Sequence, residues 1–380
     1  MRIALLAPLV SPIAPPFLGG AQALLADLAA GLAARGHDVT LYAADGSAVP
    51  DVRIVTFGVD AATLQPARFH AHGAAARRKD EPLAPPDAEV FLPGYAFLRA
   101  YRAIAMRARS HDLVHAHAYD WPAYIHPSLQ PLPILHTLHL PALDPDINRA
   151  LGILAPVARP SPYATYLVTV SHACAATYAP HCRIDAVIYN GVATERIPFG
   201  ARAAQPEYLL YAGRITPEKG VEDALVIAER AGKRLVLAGG VYDSGYYDAT
   251  VRPLIEAGGE RVEYLGAVGR ERVWELMAGA SGVLCPAKWE EPFGLVACEA
   301  LAAGAPVIGY ARGGLREVVS DGVTGRLVRP DDIEAAVAAV ARVGSFDRAA
   351  CRASVERRFS LSAMLDAYEA FYARMLEPQP

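Results

Sequence analysis

Cysteine is scarce in this chain. Its 380 residues include five, Cys174, Cys182, Cys285, Cys298 and Cys351, without paired metal-type spacing. Neither a disulfide framework nor a zinc site is expected, and a reducing, cytoplasmic home is. Long apolar runs are lacking too, since no stretch reaches the roughly 18 residues that a spanning helix needs. No integral membrane segment is expected, while peripheral association stays compatible. An excess of basic charge is also missing: 36 Lys and Arg stand against 40 Asp and Glu, a net charge of -4. Such a surface does not grip nucleic acid phosphates. The first glycine loop lacks G-x-G-x-x-G, and Asp45 fits the end of the second strand only loosely, which argues against an NAD-dependent dehydrogenase.

What is present alternates. The run from Ile3 to Val10 is about strand length and is broken by Pro8 and Pro12, so it reads as a first strand and not as a signal peptide. Gly19-Gly20 follows, then Leu24, Leu25, Leu28 and Leu32 at helical spacing, then Gly36 and the strand Val39 to Tyr42. Parallel strands need a crossover helix, so this βαβ opening predicts a doubly wound α/β domain, with ligands at the carboxyl ends of its strands. Residues 61 to 97, rich in Ala, Pro and Arg, read as an irregular or weakly helical surface insertion. Apolar runs at Asp112 to His115, Ile134 to His139 and Leu167 to Val170 read as further buried strands.

The alternation restarts at Tyr208 to Ala212 and continues through Arg234 to Leu237, Val262 to Leu265, Gly282 to Cys285 and Pro306 to Gly309. A chain of this length accommodates two α/β domains. The first domain is expected over 1–197 and the second over 198–358. The last helix, about 359–380, carries Met364, Tyr368, Phe371 and Tyr372 on one face and is expected to return to the first domain.

The most informative segment is Glu291-Pro292-Phe293-Gly294-Leu295-Val296-Ala297-Cys298-Glu299. Glu299 is the single charged residue in an apolar helix, an expensive placement unless a specific partner meets it. A ribose diol or a neighbouring arginine would be such a partner. Glu291 precedes the helix on a strand-end loop, and Phe293, Gly294 and Leu295 would offer backbone N–H groups to a diphosphate. Arg214 and Lys219 lie on the loop after Ala212, where two cations suit two phosphates, and a plain surface pair is the alternative. Arg312-Gly313-Gly314-Leu315-Arg316-Glu317 reads as more loop scaffold. His111, His115, His117, His126, His136 and His139 are scattered over separate strands and show no metal-ligand spacing. Asp144-Pro145-Asp146 reads as a turn or cap.

Together these pieces resemble the retaining glycosyltransferases of family 4, with the GT-B fold. The likeness extends over Gly19-Gly20, His115-Ala116-His117, Val170-Ser171, Asn190-Gly191-Val192, Gly213-Arg214 with Lys219, the Glu291/Glu299 pair, Gly313-Gly314 with Glu317, and the terminal helix. It implies two Rossmann-like doubly wound domains facing a central cleft, the second holding a UDP-, GDP- or ADP-sugar. By the same resemblance Arg214 and Lys219 hold the diphosphate, Glu299 the ribose, and Glu291, Phe293 and Gly294 the donor sugar. His117 and Gly20 face the sugar and phosphate from the acceptor domain. The implied reaction moves a hexose to a hydroxyl of a glycan, lipid or small metabolite with retained anomeric configuration, without a metal or other cofactor. A 2-epimerase acting on nucleotide sugars and a non-catalytic nucleotide-sugar-binding protein are the rival readings.

Overall fold

The computed structural model describes residues 1–15, 17, 19–58, 88–125, 131–154 and 164–377. The chain divides into two compact units. One comprises Met1–Val170, Ala175–Ile188 and Leu365–Pro380, the other Ser171–Cys174 and Tyr189–Met364.

The first unit is built on β1 (Arg2–Leu6), β2 (Asp38–Tyr42), β3 (Arg53–Val55), β4 (Leu113–Ala116), β5 (Ile134–Leu138), β6 (Thr165–Thr169) and β7 (Ala186–Val187). They form a sheet in the order β3-β2-β1-β4-β5-β6-β7. All its pairings are parallel, and β1 lies between β2 and β4. The order reverses between β1 and β4, the place where open α/β sheets bind ligands. Helix α1 (Gly20–Ala34) buries Leu24, Leu25, Leu28 and Leu32 and ends before Gly36, whose φ of 86° is the left-handed stop that glycine adopts without strain.

The segment 61–97 divides. Residues 59–87 lie outside the described residues, but from Ala88 the chain is helix, α2 (Ala88–Ala105), with Pro93 inside it. The helical alternative holds from Ala88 on, while the expectation of a surface insertion is corrected there, because Ala96 and Phe97 are core residues. Phe97, Ala100, Tyr101 and Ile104 are buried at helical spacing in the unit's core, and their burial outweighs the local cost of the proline.

Helix α3 (Pro145–Leu154) starts where the Asp-Pro-Asp motif stands. Asp144 Oδ1 accepts from the backbone N–H groups of Asp146 and Ile147, at 2.8 and 3.1 Å, so this motif is a helix cap.

The terminal helix spans Leu361–Leu376. A Cβ on Gly31 would sit 2.8 Å from Leu365 Cδ1, so the glycine permits the close packing of this helix on α1. Arg35 pairs with Asp366 and Glu369, both at 2.6 Å, and His37 Nε2 lies 2.7 Å from Glu369.

The second unit repeats the plan with β8 (Tyr208–Ala212), β9 (Arg234–Ala238), β10 (Val262–Tyr264), β11 (Gly282–Cys285), β12 (Val307–Tyr310) and β13 (Gly325–Val328). The order is β10-β9-β8-β11-β12-β13, again parallel, with the reversal between β8 and β11. Helices α4 (Val221–Arg230), α5 (Arg270–Gly279), α6 (Leu295–Ala302), α7 (Ile333–Val340) and α8 (Arg348–Arg358) belong to this unit. Its core joins Leu209, Tyr211, Leu235, Leu237, Leu284 and Ile308 of the sheet to Val221, Leu225 and Ile227 of α4 and Ala336 and Val340 of α7. Among the described residues no helix is long and apolar enough to cross a membrane.

Candidate functional site

The two strands at the reversal of the second sheet, β8 and β11, each deliver one side of the site. After β8 the chain turns through Arg214 and Lys219. Gly220, with φ of 67°, closes the turn, and a Cβ there would lie 2.0 Å from the Pro286 carbonyl oxygen. Glycine therefore lets the Lys219 loop touch the backbone that follows β11. Underneath, the buried Tyr211 hydroxyl donates to the carbonyl of Arg214 at 3.1 Å and reaches that of Lys219 at 3.4 Å.

After β11 comes Trp289, Glu290, Glu291 and the start of α6. Lys219 Nζ lies 2.7 Å from Glu291 Oε2, and Trp289 Nε1 donates to that same oxygen at 2.8 Å. The ammonium also lies 4.7 Å from the centre of the Trp289 ring, in cation–π range. Lys219, Glu291 and Gly294 line one cavity with Tyr211, Cys285 and Leu315. Burial pushes the Cys285 thiol up to about 12, with the Glu291 charge acting the same way, so it stands there as a neutral, inert group.

Gly294 stands at the N-cap of α6 with φ of 97° and has no side chain with which to cap the helix. The first N–H groups of a helix lack intrahelical partners, so this terminus presents donors beside the Lys219–Glu291 pair. The Phe293 ring is core, 5.5 Å from Phe359, which leaves its backbone as the part able to meet a ligand. Leu295 is the first residue of α6. The Gly313-Gly314 turn supports this loop. Gly314 N–H donates to Glu291 O at 2.7 Å, and Gly313 N–H donates to Glu290 Oε2 at 2.7 Å. Glu317 accepts from the backbone N–H groups of His172 and Ala173, at 3.0 and 2.8 Å, and from Tyr189. The Ser171 hydroxyl donates to the Pro292 carbonyl. Gly313, Gly314, Glu317 and Ser171 thus act as scaffold for the loop that carries Glu291.

Arg214 and Glu299 are placed differently. The Arg214 guanidinium lies 3.6 Å from Glu218 and 5.5 Å from the Tyr242 ring centre, half-exposed at the rim. Glu299 meets Arg270, with Nε 3.2 Å from Oε1 and both side chains mostly buried. The sequence reading anticipated an arginine as one possible partner for Glu299 without finding which. Arg270 begins α5 and lies 4.6 Å from the centre of the buried Trp274 ring. Its single legible signal is a charge at the first helical position after the β10 loop.

Gly19, Gly20 and His117 belong to the first unit. They follow β1 and β4, the strands at that sheet's reversal. Gly19 precedes α1 in extended conformation, without a side-chain cap and with no acid in the first turn. The His117 ring is buried, with Nδ1 2.9 Å from His139 Nε2 and with a buried Nε2 that has no partner among the described residues. His115 meets Tyr372 at 2.6 Å and Thr137 at 2.7 Å. Burial, with neighbouring histidines adding to it, holds His115 and His117 well below the usual imidazole range. Burial also takes His136 down to about 3 and His139 to about 4. His111 accepts or donates to the Tyr42 hydroxyl at 2.9 Å. His126 lies outside the described residues. Among the described residues no group of three or more His, Cys, Asp or Glu is arranged to hold a metal ion.

The chain matches two protein-family models, Glycosyltransferase Family 4 over residues 18–196 and Glycosyl transferases group 1 over residues 194–351. It is 30% identical over 387 residues to a glycogen synthase of Mycobacterium tuberculosis, covering 93% of this chain and 89% of that one. Among solved structures it resembles sucrose-phosphate synthase from Thermosynechococcus elongatus, with a TM-score of 0.77, 22% identity and 99% of each chain covered. It also resembles HepE of Anabaena in complex with UDP-glucose, with a TM-score of 0.68, 19% identity, and 98% of this chain and 100% of that one covered.

Proposed function

This chain belongs to the family 4 glycosyltransferases, of GT-B fold, and we propose that it moves a hexosyl group from a nucleoside diphosphate sugar to an acceptor hydroxyl with retention of configuration and without a divalent metal. The observation that carries the reading is the Lys219–Glu291 pair beside the N-terminus of α6, at the reversal of the second sheet. A departing diphosphate gains charge, and a fixed ammonium, a rim guanidinium and helix N–H groups stabilise that gain without a metal ion. Lys219 and Arg214 hold the diphosphate. Phe293, Gly294 and Leu295 meet donor phosphate and sugar through their backbone, and Glu291 holds a sugar hydroxyl. Glu299 accepts from the ribose diol. Gly19 and Gly20 open the first unit's ligand loop, and the Nε2 of His117, unpartnered among the described residues, suits a sugar hydroxyl.

In the step itself the bond from the anomeric carbon to the diphosphate oxygen breaks, and the bond to the acceptor oxygen forms on the same face. The acceptor proton passes to a phosphate oxygen of the leaving group. The protein orients both partners and stabilises charge.

UDP-glucose in HepE makes uridine nucleotides the first donors to test. Calorimetry with UDP, GDP, ADP and TDP in the presence of EDTA is expected to give micromolar binding of one of them. Proton NMR of the product formed in EDTA is expected to show the donor's anomeric configuration. Activity that disappears with EDTA and returns only with a metal, or an inverted product, overturns the mechanism. Consumption of donor with no acceptor present would favour the epimerase, and a protein that binds without turnover would be a sensor.

A further inference from the structure

We propose that Arg270 is a positioning residue for ribose recognition: it holds the Glu299 carboxylate charged and oriented, and so sets how strongly the site prefers ribonucleotides to 2′-deoxyribonucleotides. The inference rests on the reading of Glu299 as the ribose acceptor and adds the group that makes Glu299 fit for it.

The observations are local to the second unit. Glu299 stands alone among apolar residues of α6, whose Ala297, Cys298, Ala300, Leu301 and Ala302 are buried. A carboxylate so placed has little water to stabilise its charge. Arg270 Nε approaches Oε1 at 3.2 Å, with the two side chains 17% and 14% exposed. Arg270 is itself held in place. Its guanidinium lies 4.6 Å from the centre of the Trp274 ring, and Arg196 lies 5.5 Å from that same ring. Trp274 is 1% exposed, so it is a fixed platform. A guanidinium held in cation–π range of a fixed aromatic ring loses little freedom when it pairs with a carboxylate. Glu299 therefore meets a nucleotide with its carboxylate already paired and oriented. Without Arg270 the buried carboxylate would lose the cation at Oε1, which contributes both charge compensation and a fixed direction, two properties that a strong acceptor for a diol requires.

The test compares UDP, GDP and ADP with dUDP, dGDP and dADP by calorimetry in EDTA, for the parent protein, Arg270→Ala, Arg270→Lys and Glu299→Ala. The parent is expected to favour the ribonucleotide of its preferred base by about 10- to 100-fold, the range of a hydrogen bond to a charged group. Arg270→Ala is expected to reduce that preference to less than about 3-fold, mostly by weakening the ribonucleotide, with deoxynucleotide affinity nearly unchanged. In a Glu299→Ala background the same change is expected to leave the preference unaltered, since the residue acts through Glu299. Arg270→Lys retains the charge without the planar guanidinium, so an intermediate preference is expected, and this variant decides the question if the alanine variant does not fold. A preference that survives both substitutions overturns the proposal, as does an equal loss of ribo- and deoxynucleotide binding. A parent protein without any ribose preference overturns the reading of Glu299 and this inference with it, and diphosphate binding that persists there would leave the donor-site assignment standing.

Discussion

Lys219 and Glu291 are 72 residues apart in sequence, and their side chains meet at 2.7 Å. Glu291 Oε2 is shared with the Trp289 indole N–H at 2.8 Å, so the carboxylate is oriented from two sides before any ligand arrives. The pairing also shields the ammonium. A ligand whose phosphate attracts Lys219 and whose hydroxyl attracts Glu291 satisfies both groups together, whereas an isolated phosphate separates them.

Replacing Lys219 by Ala removes a fixed cation from the departing charge. A loss of about 100- to 1,000-fold in kcat is expected, the scale for one stabilising donor, together with weaker nucleoside diphosphate binding. Steady-state kinetics and calorimetry on one preparation check it. An unchanged kcat with raised KM would place Lys219 in ground-state binding alone.

Gly313→Ala tests the scaffold. Gly313 has φ of 51°, and a Cβ would lie 2.2 Å from the Glu291 carbonyl oxygen, a backbone atom that cannot swing aside. The left-handed conformation alone costs about 1–3 kcal/mol for a non-glycine residue, so a fall of several degrees in thermal midpoint and a displaced Glu291 are expected. Differential scanning calorimetry reads the first, and loss of turnover the second. Unchanged values of both would show that the turn is compliant.

Acid is expected to destabilise the first unit through its buried histidines. Burial lowers His136 from 6.5 to about 3 and His139 from 6.5 to about 4, and His115 and His117 move the same way. Below about pH 6.5 the unfolded chain therefore takes up protons that the folded chain refuses, so stability falls as pH falls, down to each folded value. By pH 5 His136 and His139, whose folded values of about 3 and about 4 lie below that pH, each contribute about 2 kcal/mol of destabilisation, from about 1.5 pH units at 1.36 kcal/mol each, and His115 and His117 act in the same direction. Thermal unfolding at pH 7.5 and pH 5 measures it, and His136→Phe is expected to flatten the dependence. A midpoint equal at both pH values would contradict the burial.

Tyr372→Phe tests the docking of the terminal helix. The Tyr372 hydroxyl lies 2.6 Å from His115 Nδ1, both fully buried, and Tyr368 meets Thr137 at 3.0 Å in the same cluster. Removing the hydroxyl leaves a buried ring nitrogen unpaired, and a loss of about 1–3 kcal/mol is expected by urea unfolding. A change within error would mean that water enters to replace the bond.

The alternation of strand and helix was legible because each parallel strand is buried on both faces and reads as a short apolar run ending in polar groups, as Tyr208–Ala212 and Gly282–Cys285 do. The cluster from Glu291 to Glu299 was legible because its residue types conflict with their surroundings, a carboxylate among alanines being hard to explain by packing. Helix α2 was legible only as a weak helix and its burial was not, since prolines on and before it mask an apolar stripe whose partner strands lie elsewhere in the sequence. Arg270 was not legible either: its charge is unremarkable until Glu299, 29 residues later, is set beside it.

The sequence by itself determined the local elements, the left-handed glycine turns and the family to which the chain belongs, because these depend on residue type and on neighbours within a few positions. Only the tertiary structure decided which charges pair. Reversal of strand order between β8 and β11 brings Lys219 to Glu291, and the packing of the terminal helix brings Tyr372 to His115 across 257 residues. Such partners are chosen by sheet order and by burial, and periodicity along the chain carries no record of either.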